Sequence, residues 1–398
     1  MRIAVVGAGI AGLTLALWLR RAGLTCAVYE QSGELSEVGA GIQLAPNAVR
    51  LLQRVGLSEL ESVAVTPESV DLRRWDDGRI LARTPLGSAC RDRYDAPYLT
   101  LQRADLQRLL VEAVRRAGIP LRLRHRCRAV TSAPSGPRLW FETGESIDVD
   151  LVVGADGVRS AVRRLLTTEP PRFREVIVYR SMVDASLLPA FDAPRVNVWL
   201  GPGHHCVWYP VADGRRYNLV AAVAAPRSGW RAAPASWRIP ARPEDMRRAF
   251  AGWHPEVESV LGAADQVTCW SLYDNPALNR WSRPGVTLVG DAAHALLPFG
   301  AHGGNQAIES AATLATCLGS GQDLAAALEQ YERLRASRLD LVRAAVQRNV
   351  DDHHLVDGAS QRARDESLAA ADRLSGQDWL FGHDAEAVAA GPLARTGV

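Results

Sequence analysis

Arg2-Ile3-Ala4-Val5-Val6-Gly7-Ala8-Gly9-Ile10-Ala11-Gly12-Leu13 is the stretch that decides the fold. Arg2 to Val6 is a short apolar run that reads as a strand. Ala11 to Ala22 reads as a helix closed by Gly23, and Leu24 to Tyr29 is a second apolar run. Strand, helix and strand within about 30 residues form a βαβ unit. In its Gly-x-Gly-x-x-Gly turn, Gly7 makes the tight bend, Gly9 admits close backbone approach to a pyrophosphate, and Gly12 lets the helix pack on the strand. Ala11 opens the helix, whose unpaired N–H groups and partial positive charge face the phosphates. Glu30 ends the second strand, where a carboxylate accepts from an adenosine ribose hydroxyl. The fold class is therefore α/β, with a dinucleotide site at the first turn.

Further along, helices are expected at Asn47 to Val55 after Pro46, and at Arg103 to Ala117 before Gly118, followed by a strand over Leu121 to Val130. Asp77-Gly78 splits Leu72 to Leu81 into a hairpin. Short β runs at Val176–Val183, Val196–Leu200, His205–Val211 and Tyr217–Val223 suggest a mostly antiparallel sheet inserted into the nucleotide-binding domain. A surface loop is expected over Ala224 to Pro243, then a helix near Glu244 to Trp253, a strand at Val286 to Val289 and a long helical region from Asn305 to Asp351. We expect a discontinuous nucleotide-binding domain (1–71, 100–175, 272–350), an inserted substrate domain (72–99, 176–271) and a partly helical C-terminal segment (351–398).

The composition excludes several function classes. Of 398 residues 47% are hydrophobic and 23% charged, enough for a large core. A net charge of +2 from 46 basic and 44 acidic residues provides no field for nucleic acid or an anionic membrane. There is no lysine, so every basic residue is arginine. Six cysteines without a CxxC pair suggest neither a metal site nor a disulfide framework. Leu13 to Leu19 reads as a helix face too short to span a bilayer. The chain is expected to be cytoplasmic, with monomer and homodimer both open.

Two later acid-glycine turns extend the first. Leu151-Val152-Val153-Gly154-Ala155-Asp156-Gly157 is a strand ending in a GADG turn, expected to lead into a helix. Gly290-Asp291-Ala292-Ala293-His294 follows the Thr287 to Val289 strand. These three motifs in this order resemble those of the class A flavoprotein aromatic hydroxylases, the para-hydroxybenzoate and salicylate hydroxylase superfamily, over most of the chain. The resemblance implies a Rossmann-type FAD-binding domain in which Gly7, Gly9, Ala11, Gly12 and Glu30 hold the ADP half of FAD. Asp156 and Gly157 would lie near both FAD and the nicotinamide nucleotide, and Gly290 and Asp291 near the ribityl chain. Arg103 matches a family arginine near the ribose and phosphates, although a solvated helix-start arginine is the alternative.

Pro298-Phe299-Gly300-Ala301-His302-Gly303-Gly304-Asn305 precedes a helix, and in the family this turn cradles the flavin ring, with Pro298, Gly303, Gly304 and Asn305 as contacts. His302 stands where the family commonly has Gln or Ser, and reads as a surface or helix-cap histidine. Ser310 follows Glu309 where Asp is common. Gly39-Ala40-Gly41-Ile42-Gln43 is similar to the loop against the ring, with Gly41, Ile42 and Gln43 as contacts.

On the substrate side, period two places His205, Val207 and Tyr209 on one face, opposite Cys206 and Trp208. This strand resembles the one that supplies an active-site histidine and tyrosine in salicylate, 3-hydroxybenzoate and 6-hydroxynicotinate hydroxylases. A histidine with an ordinary pKa of ~6.5 suits phenol deprotonation. A satisfied core histidine, or His204 facing the pocket instead, are the alternatives. Arg180 and Phe299 are candidate substrate contacts, with a structural role for Arg180 equally open. Gln377 to Asp384 is similar to a tail segment of the same hydroxylases.

The implied function is hydroxylation of a small aromatic acid by NADH or NADPH and O₂ through a C4a-hydroperoxyflavin, without metal. Alternatives are a monooxygenase tailoring a larger natural product, a flavin oxidase or reductase, and a flavin-binding sensor. A flavin halogenase is disfavoured: Trp237-Arg238-Ile239-Pro240 matches half of its motif, but Ala235 replaces the first Trp, and the family's lysine is absent.

Overall fold

The computed structural model describes residues 1–35, 40–133, 136–225, 238–370 and 372–391. Strands Val286–Leu288, Leu151–Gly154, Ile3–Val6, Cys26–Tyr29 and Leu121–Arg122 lie side by side in that order, every neighbouring pair parallel. The strands that precede the three glycine-acid turns are therefore adjacent, and all three turns leave the same edge of the sheet. These strands are buried on both faces, as unbroken apolar runs require. Helix Ile10–Arg21 is buried on every side from Ile10 to Leu19, where a single apolar face was expected. It packs against helices Arg103–Arg116 and His302–Leu318 as well as the strand Ile3–Val6, so no face is left for water.

Four expected elements differ. Within the stretch expected as a surface loop, Arg238–Ala241 is a strand paired with Val267–Asp274. The run Leu121 to Val130 divides at Arg124, whose positive φ of 60° ends one strand, and Cys127–Ala133 joins a separate antiparallel sheet with Gly136–Phe141 and Ser146–Asp148. The GADG turn leads to no α-helix. Asp156 Oδ2 accepts from the N–H groups of Ala161 (2.7 Å) and Val162 (3.3 Å), holding the chain as turns up to a 3₁₀ turn at Arg163–Leu165. The long helical region is two helices, His302–Leu318 and Leu324–His353. They are separated at Gly319 to Asp323, where Asp323 caps the second by accepting from Ala326 N–H.

The second sheet has eight strands in the order Arg238–Ala241, Val267–Asp274, Arg172–Asp184, Arg216–Ala224, His204–Val211, Arg195–Gly201, Ser69–Arg74 and Ile80–Pro85. All neighbours are antiparallel except Arg195–Gly201 with Ser69–Arg74. One face buries Trp199, Cys206, Trp208 and Leu219 against Met246 and Phe250 of the segment that holds helices Pro243–Ala249 and Pro255–Gly262. Residues of the other face line a cavity.

Helices Ala359–Ala370, Asp378–Phe381 and Ala385–Ala390 close the molecule. They are anchored by Arg54 to Asp384 (2.6 Å), Arg93 Nε to Asp378 (2.6 Å) and Arg50 to the Phe381 carbonyl (2.8 Å). Beneath them Glu309 is fully buried. Its Oε1 accepts from Asn47 (2.6 Å), Gln306 (3.0 Å) and Arg338 (3.0 Å), and its Oε2 from Arg335 (2.6 Å) and Arg338 (3.1 Å). Burial pushes this carboxyl up, but the two guanidiniums outweigh it and hold its pKa down to about 2. Ser310, the departure from the family pattern, bridges His294 (2.8 Å) and Arg335 (3.1 Å). Among the described residues no helix is long and apolar enough to cross a membrane.

Candidate active site

A cavity of about 950 Å³ runs between the two sheets. That is near the top of the roughly 300–1,000 Å³ span of small-molecule sites. Its nucleotide end is built by the three turns. A Cβ on Gly7 would meet the Ala155 carbonyl at 2.5 Å, one on Gly12 the Gly7 carbonyl at 1.9 Å, and one on Gly290 the Ala11 Cβ at 2.7 Å. Close packing of one motif against another thus demands glycine. Gly12 and Gly290 do this behind the wall, while Gly7, Gly9, Ala11, Asp156, Gly157 and Asp291 line the cavity. A Cβ on Gly9 would meet nothing within 4 Å.

Glu30 and Arg103 also line this end. Glu30 accepts from Ala8 N–H (2.8 Å) inside the glycine turn, so second strand and turn are tied together. Asp156 is desolvated, which raises its pKa against the pull of Ser160 and of the Val162 and Ala161 N–H groups, and its Oδ1 is buried without a partner. Asp291 lies deep in the molecule with its side chain exposed to the cavity. Surrounding protein pushes its pKa up, Arg103 opposes this, and the side chain's exposure to the cavity limits the push.

The middle is a clamp. Gly41–Leu44 pairs with Leu99–Gln102 and lies on the eight-stranded sheet, where Gly41 N–H donates to Asn218 (2.7 Å). A Cβ on Gly41 would reach Asn218 at 2.6 Å and Tyr209 at 2.8 Å. Asn305 donates to the carbonyls of Gln43 (3.1 Å) and Ala301 (2.8 Å) and accepts from Ala45 N–H (2.9 Å). Gln43 accepts from Tyr98 O–H (2.7 Å). Ile42, Pro298, Gly303 and Gly304 line the cavity beside them, with Gly303, Gly304 and Asn305 inside the first turn of the helix. His302 is not a surface histidine. It is buried at the first helical position, and burial, with Arg338, takes its pKa down to about 4.

The floor at the far end follows from strand register. Leu72, Val198, Val207, Val220 and Arg180 form one row across the sheet, and Leu200, His205, Ala222 and Val178 the next. All of these line the cavity, as does Tyr209. His204 lies off the cavity, hydrogen-bonded to the Pro202 carbonyl (2.9 Å) and edge-on to Phe250. His205 is 5% exposed. Burial drives its pKa well below the ordinary value, helped by His353, His354 and His204, so it is a neutral and weaker base than an ordinary pKa would make it. Burial holds the Tyr209 phenol protonated, against Arg180 and Gln43. Arg180 lies over Trp270 (5.2 Å), and its Nε is buried without a partner. Phe299 is 2% exposed, with its ring 5.0 Å from His205.

The roof was not foreseen. His205 Nδ1 is 2.8 Å from His354 Nε2, and the His353 ring lies 5.2 Å from His205. Arg373 lines the same end, with Nε buried and unpartnered. The adjacent histidines at a helix end were the available signal, but only the fold brings them to His205. Among the described residues no group of His, Cys, Asp or Glu has the arrangement to hold a metal. Gly39, Ala235 and Trp237 lie outside the described residues.

A parallel sheet whose three turns converge on one long cavity, floored by a second sheet, defines a flavin-dependent monooxygenase with a single FAD site. The residues fit that cofactor: open space at Gly9, N–H groups at the helix starts, and cavity-facing carboxylates where an adenosine ribose and a ribityl chain need acceptors. The chain belongs to the FAD binding domain family, whose description matches residues 1–349. It is 44% identical, over 97% of both chains, to a 3-amino-4-hydroxybenzoate 2-monooxygenase of Streptomyces platensis. It is 36% identical to a 6-hydroxynicotinate 3-monooxygenase of Bordetella bronchiseptica, over 86% of this chain and 89% of that one. The structure of Klebsiella pneumoniae HpxO complexed with FAD and uric acid superposes with a TM-score of 0.82, at 26% identity, over 99% of this chain and 98% of that one.

Proposed function

We propose that this monooxygenase hydroxylates an aminohydroxybenzoate, with His205 as the base that accepts a proton from the ring's activating substituent. The arrangement of His205 carries the reading: a neutral imidazole on the cavity floor, with Nδ1 committed to His354 and Nε2 without a hydrogen-bond partner among the described residues. The Streptomyces platensis relative is named for 3-amino-4-hydroxybenzoate. Hydroxylation at its carbon 2 is ortho to the amino group and meta to the hydroxyl, so the amino nitrogen is the donor that activates that carbon. As that nitrogen becomes positive, His205 Nε2 takes an N–H proton. Tyr209 stays protonated as a hydrogen-bond donor, and Phe299 packs the ring edge.

The carboxylate is assigned to Arg180, whose unmatched Nε–H favours an anionic partner. At the other end Glu30 takes the ribose hydroxyls, and Gly7, Gly9 and Ala11 the pyrophosphate. Arg103 takes the phosphates, Asp291 the ribityl chain, and Gly41, Ile42, Gln43, Pro298, Gly303, Gly304 and Asn305 the ring. Asp156 and Gly157 guard its nicotinamide-facing side. Bound FAD supplies two-electron reduction by NAD(P)H and activation of O₂. One oxygen atom enters the ring and the other leaves as water. The chain's own part is to orient the ring, remove the proton and keep out water.

The test is NAD(P)H oxidation stimulated by 3-amino-4-hydroxybenzoate, 4-hydroxybenzoate, salicylate and 6-hydroxynicotinate, with product mass under ¹⁸O₂. One ¹⁸O atom in an aminodihydroxybenzoate is expected. Stimulation without ¹⁸O uptake would make the protein an oxidase or reductase, and stimulation by another acid alone would remove the substrate assignment.

A further inference from the structure

We propose that His354 is the proton exit of this site, taking through Nε2 the proton that His205 accepts from the substrate and releasing it to solvent. This rests on the reading of His205 as the base. His205 Nδ1 and His354 Nε2 are 2.8 Å apart, and the rings lie 29° from coplanar with centroids 5.0 Å apart, so they meet edge to edge through those nitrogens. Two neutral imidazoles joined this way share one N–H. With that hydrogen on His205 Nδ1, His205 Nε2 keeps its lone pair for the substrate. With it on His354, the lone pair is lost, so the pair also sets the tautomer.

A proton arriving on His205 Nε2 cannot stay there. The ring is nearly sealed from water, with His353 of the long helix beside it and His204 behind it on the opposite face of its own strand, while Arg364 and Arg373 bear on His353 from the C-terminal segment. Asp352 partly offsets Arg373, and Asp365 pairs with Arg364. Imidazolium at this position is therefore costly. His354 is half-buried, whereas His205 is not accessible to more than a trace of solvent. The transfer is balanced. The ring substituent loses a proton to His205 Nε2, His205 Nδ1–H passes to His354 Nε2, and His354 Nδ1–H leaves to water. When the hydroxylated carbon sheds its hydrogen as a proton to solvent and the ring regains aromaticity, the path runs backwards: His205 Nε2–H returns to the ring substituent, His354 Nε2–H to His205 Nδ1 and a proton from water to His354 Nδ1, which restores both tautomers. The relay itself breaks and forms only bonds to hydrogen, and the oxygen transfer is the work of FAD and O₂.

The backbone holds the second ring in place. His354 ends helix Leu324–His353, and its carbonyl accepts from Gly203 N–H (3.2 Å) in the turn leading into the His205 strand. Helix end and hairpin are pinned together where the two imidazoles meet.

The test uses flavin-loaded enzyme and 3-amino-4-hydroxybenzoate. His354→Gln keeps an acceptor for His205 Nδ1–H but cannot relay a proton. It should lower kcat about tenfold, a fraction of the full value of acid–base catalysis, with KM and FAD content near wild type and a larger solvent deuterium effect. His354→Ala should be slowed at least as much and regain rate on adding imidazole. A wild-type kcat in His354→Gln, or no response of His354→Ala to imidazole, overturns the relay. His205→Ala, run alongside, separates the two ideas. If it turns over normally the base assignment fails; if it is slow while His354→Gln is not, the base stands and the relay is wrong.

Discussion

Near its middle, helix Leu324–His353 carries Arg335 and Arg338 into one buried polar cluster, and at its end it carries His353 towards another. In the first, both oxygens of Glu309 have several donors, and no nitrogen of Arg335 or Arg338 is buried without a partner. In the second, His353 Nδ1, Arg373 Nε and Arg180 Nε are buried with nothing to bond. The charged groups of the first cluster are all matched, as a structural ion network requires, because an unmatched buried group costs about 1–3 kcal/mol; only the neutral Asn47 Oδ1 and His294 Nδ1 at its edge are buried without a partner. Arg180, His353 and Arg373 all line the one cavity, where a ligand can meet their unmatched groups. The first cluster fastens the C-terminal helices to the nucleotide-binding core, and the second uses those helices as the roof of the substrate end.

Breaking the closed cluster should have the largest effect. Glu309→Gln strands two buried guanidiniums and should cost about 3–5 kcal/mol, read as a lower urea midpoint. The wild-type advantage should depend on pH in a defined direction. The carboxyl has a folded pKa of about 2 and a higher unfolded one, so its contribution is complete above about pH 5 and lost as pH falls towards 2. Melting both proteins between pH 7 and pH 3 checks this, and a gap that widens towards acid would contradict the assignment.

Breaking the open cluster should leave stability intact and remove chemistry. His205→Ala is expected to lose about a hundredfold or more in kcat while keeping FAD absorbance and melting temperature. That asymmetry also marks what the sequence could convey. The nucleotide end was legible because its glycines act on neighbours a few residues away, or on copies of the same strand-turn pattern that stack in one parallel sheet. The floor was legible in part: period two put His205 and Tyr209 on one face, and the resemblance to the hydroxylase strand chose that face over the one carrying His204. The roof was not, because His353, His354 and Arg373 reach the site only through the fold, and no local pattern distinguishes them from a solvated, arginine-rich tail. The same limit applies to His302, read as a surface or helix-cap histidine yet buried at the start of its helix, and to the GADG turn, where bonds to the Asp156 side chain hold turns in place of the expected helix.

A smaller, sharper effect is expected at Arg180. Replacing it with Met keeps the length of the stem against Trp270 and removes the charge. If it meets the substrate carboxylate, KM for the acid should rise roughly ten- to hundredfold, the worth of one charge-assisted hydrogen bond, while the carboxamide analogue changes little. An equal rise for both analogues would point to lost packing. No rise for either would shift the carboxylate to Arg373, which also lines the cavity with an unmatched Nε.

The mildest substitution, Gly9→Ala, tests whether the nucleotide end follows the same rule. Gly9 has an ordinary φ of −77°, and its added Cβ would touch nothing within 4 Å, so the protein should melt as wild type does. That Cβ would, however, stand where backbone must approach the pyrophosphate. FAD should therefore be held about tenfold more weakly, on the order of 1.4 kcal/mol, in a titration of the deflavinated protein. Gly12→Ala is the converse, since its Cβ would lie 1.9 Å from the Gly7 carbonyl and must push helix from strand. It should lower the melting temperature whether or not FAD is present. If instead Gly9→Ala destabilised the fold and left FAD affinity unchanged, the space beside Gly9 would not be the pyrophosphate site, and the nucleotide end would have to be read as packing alone.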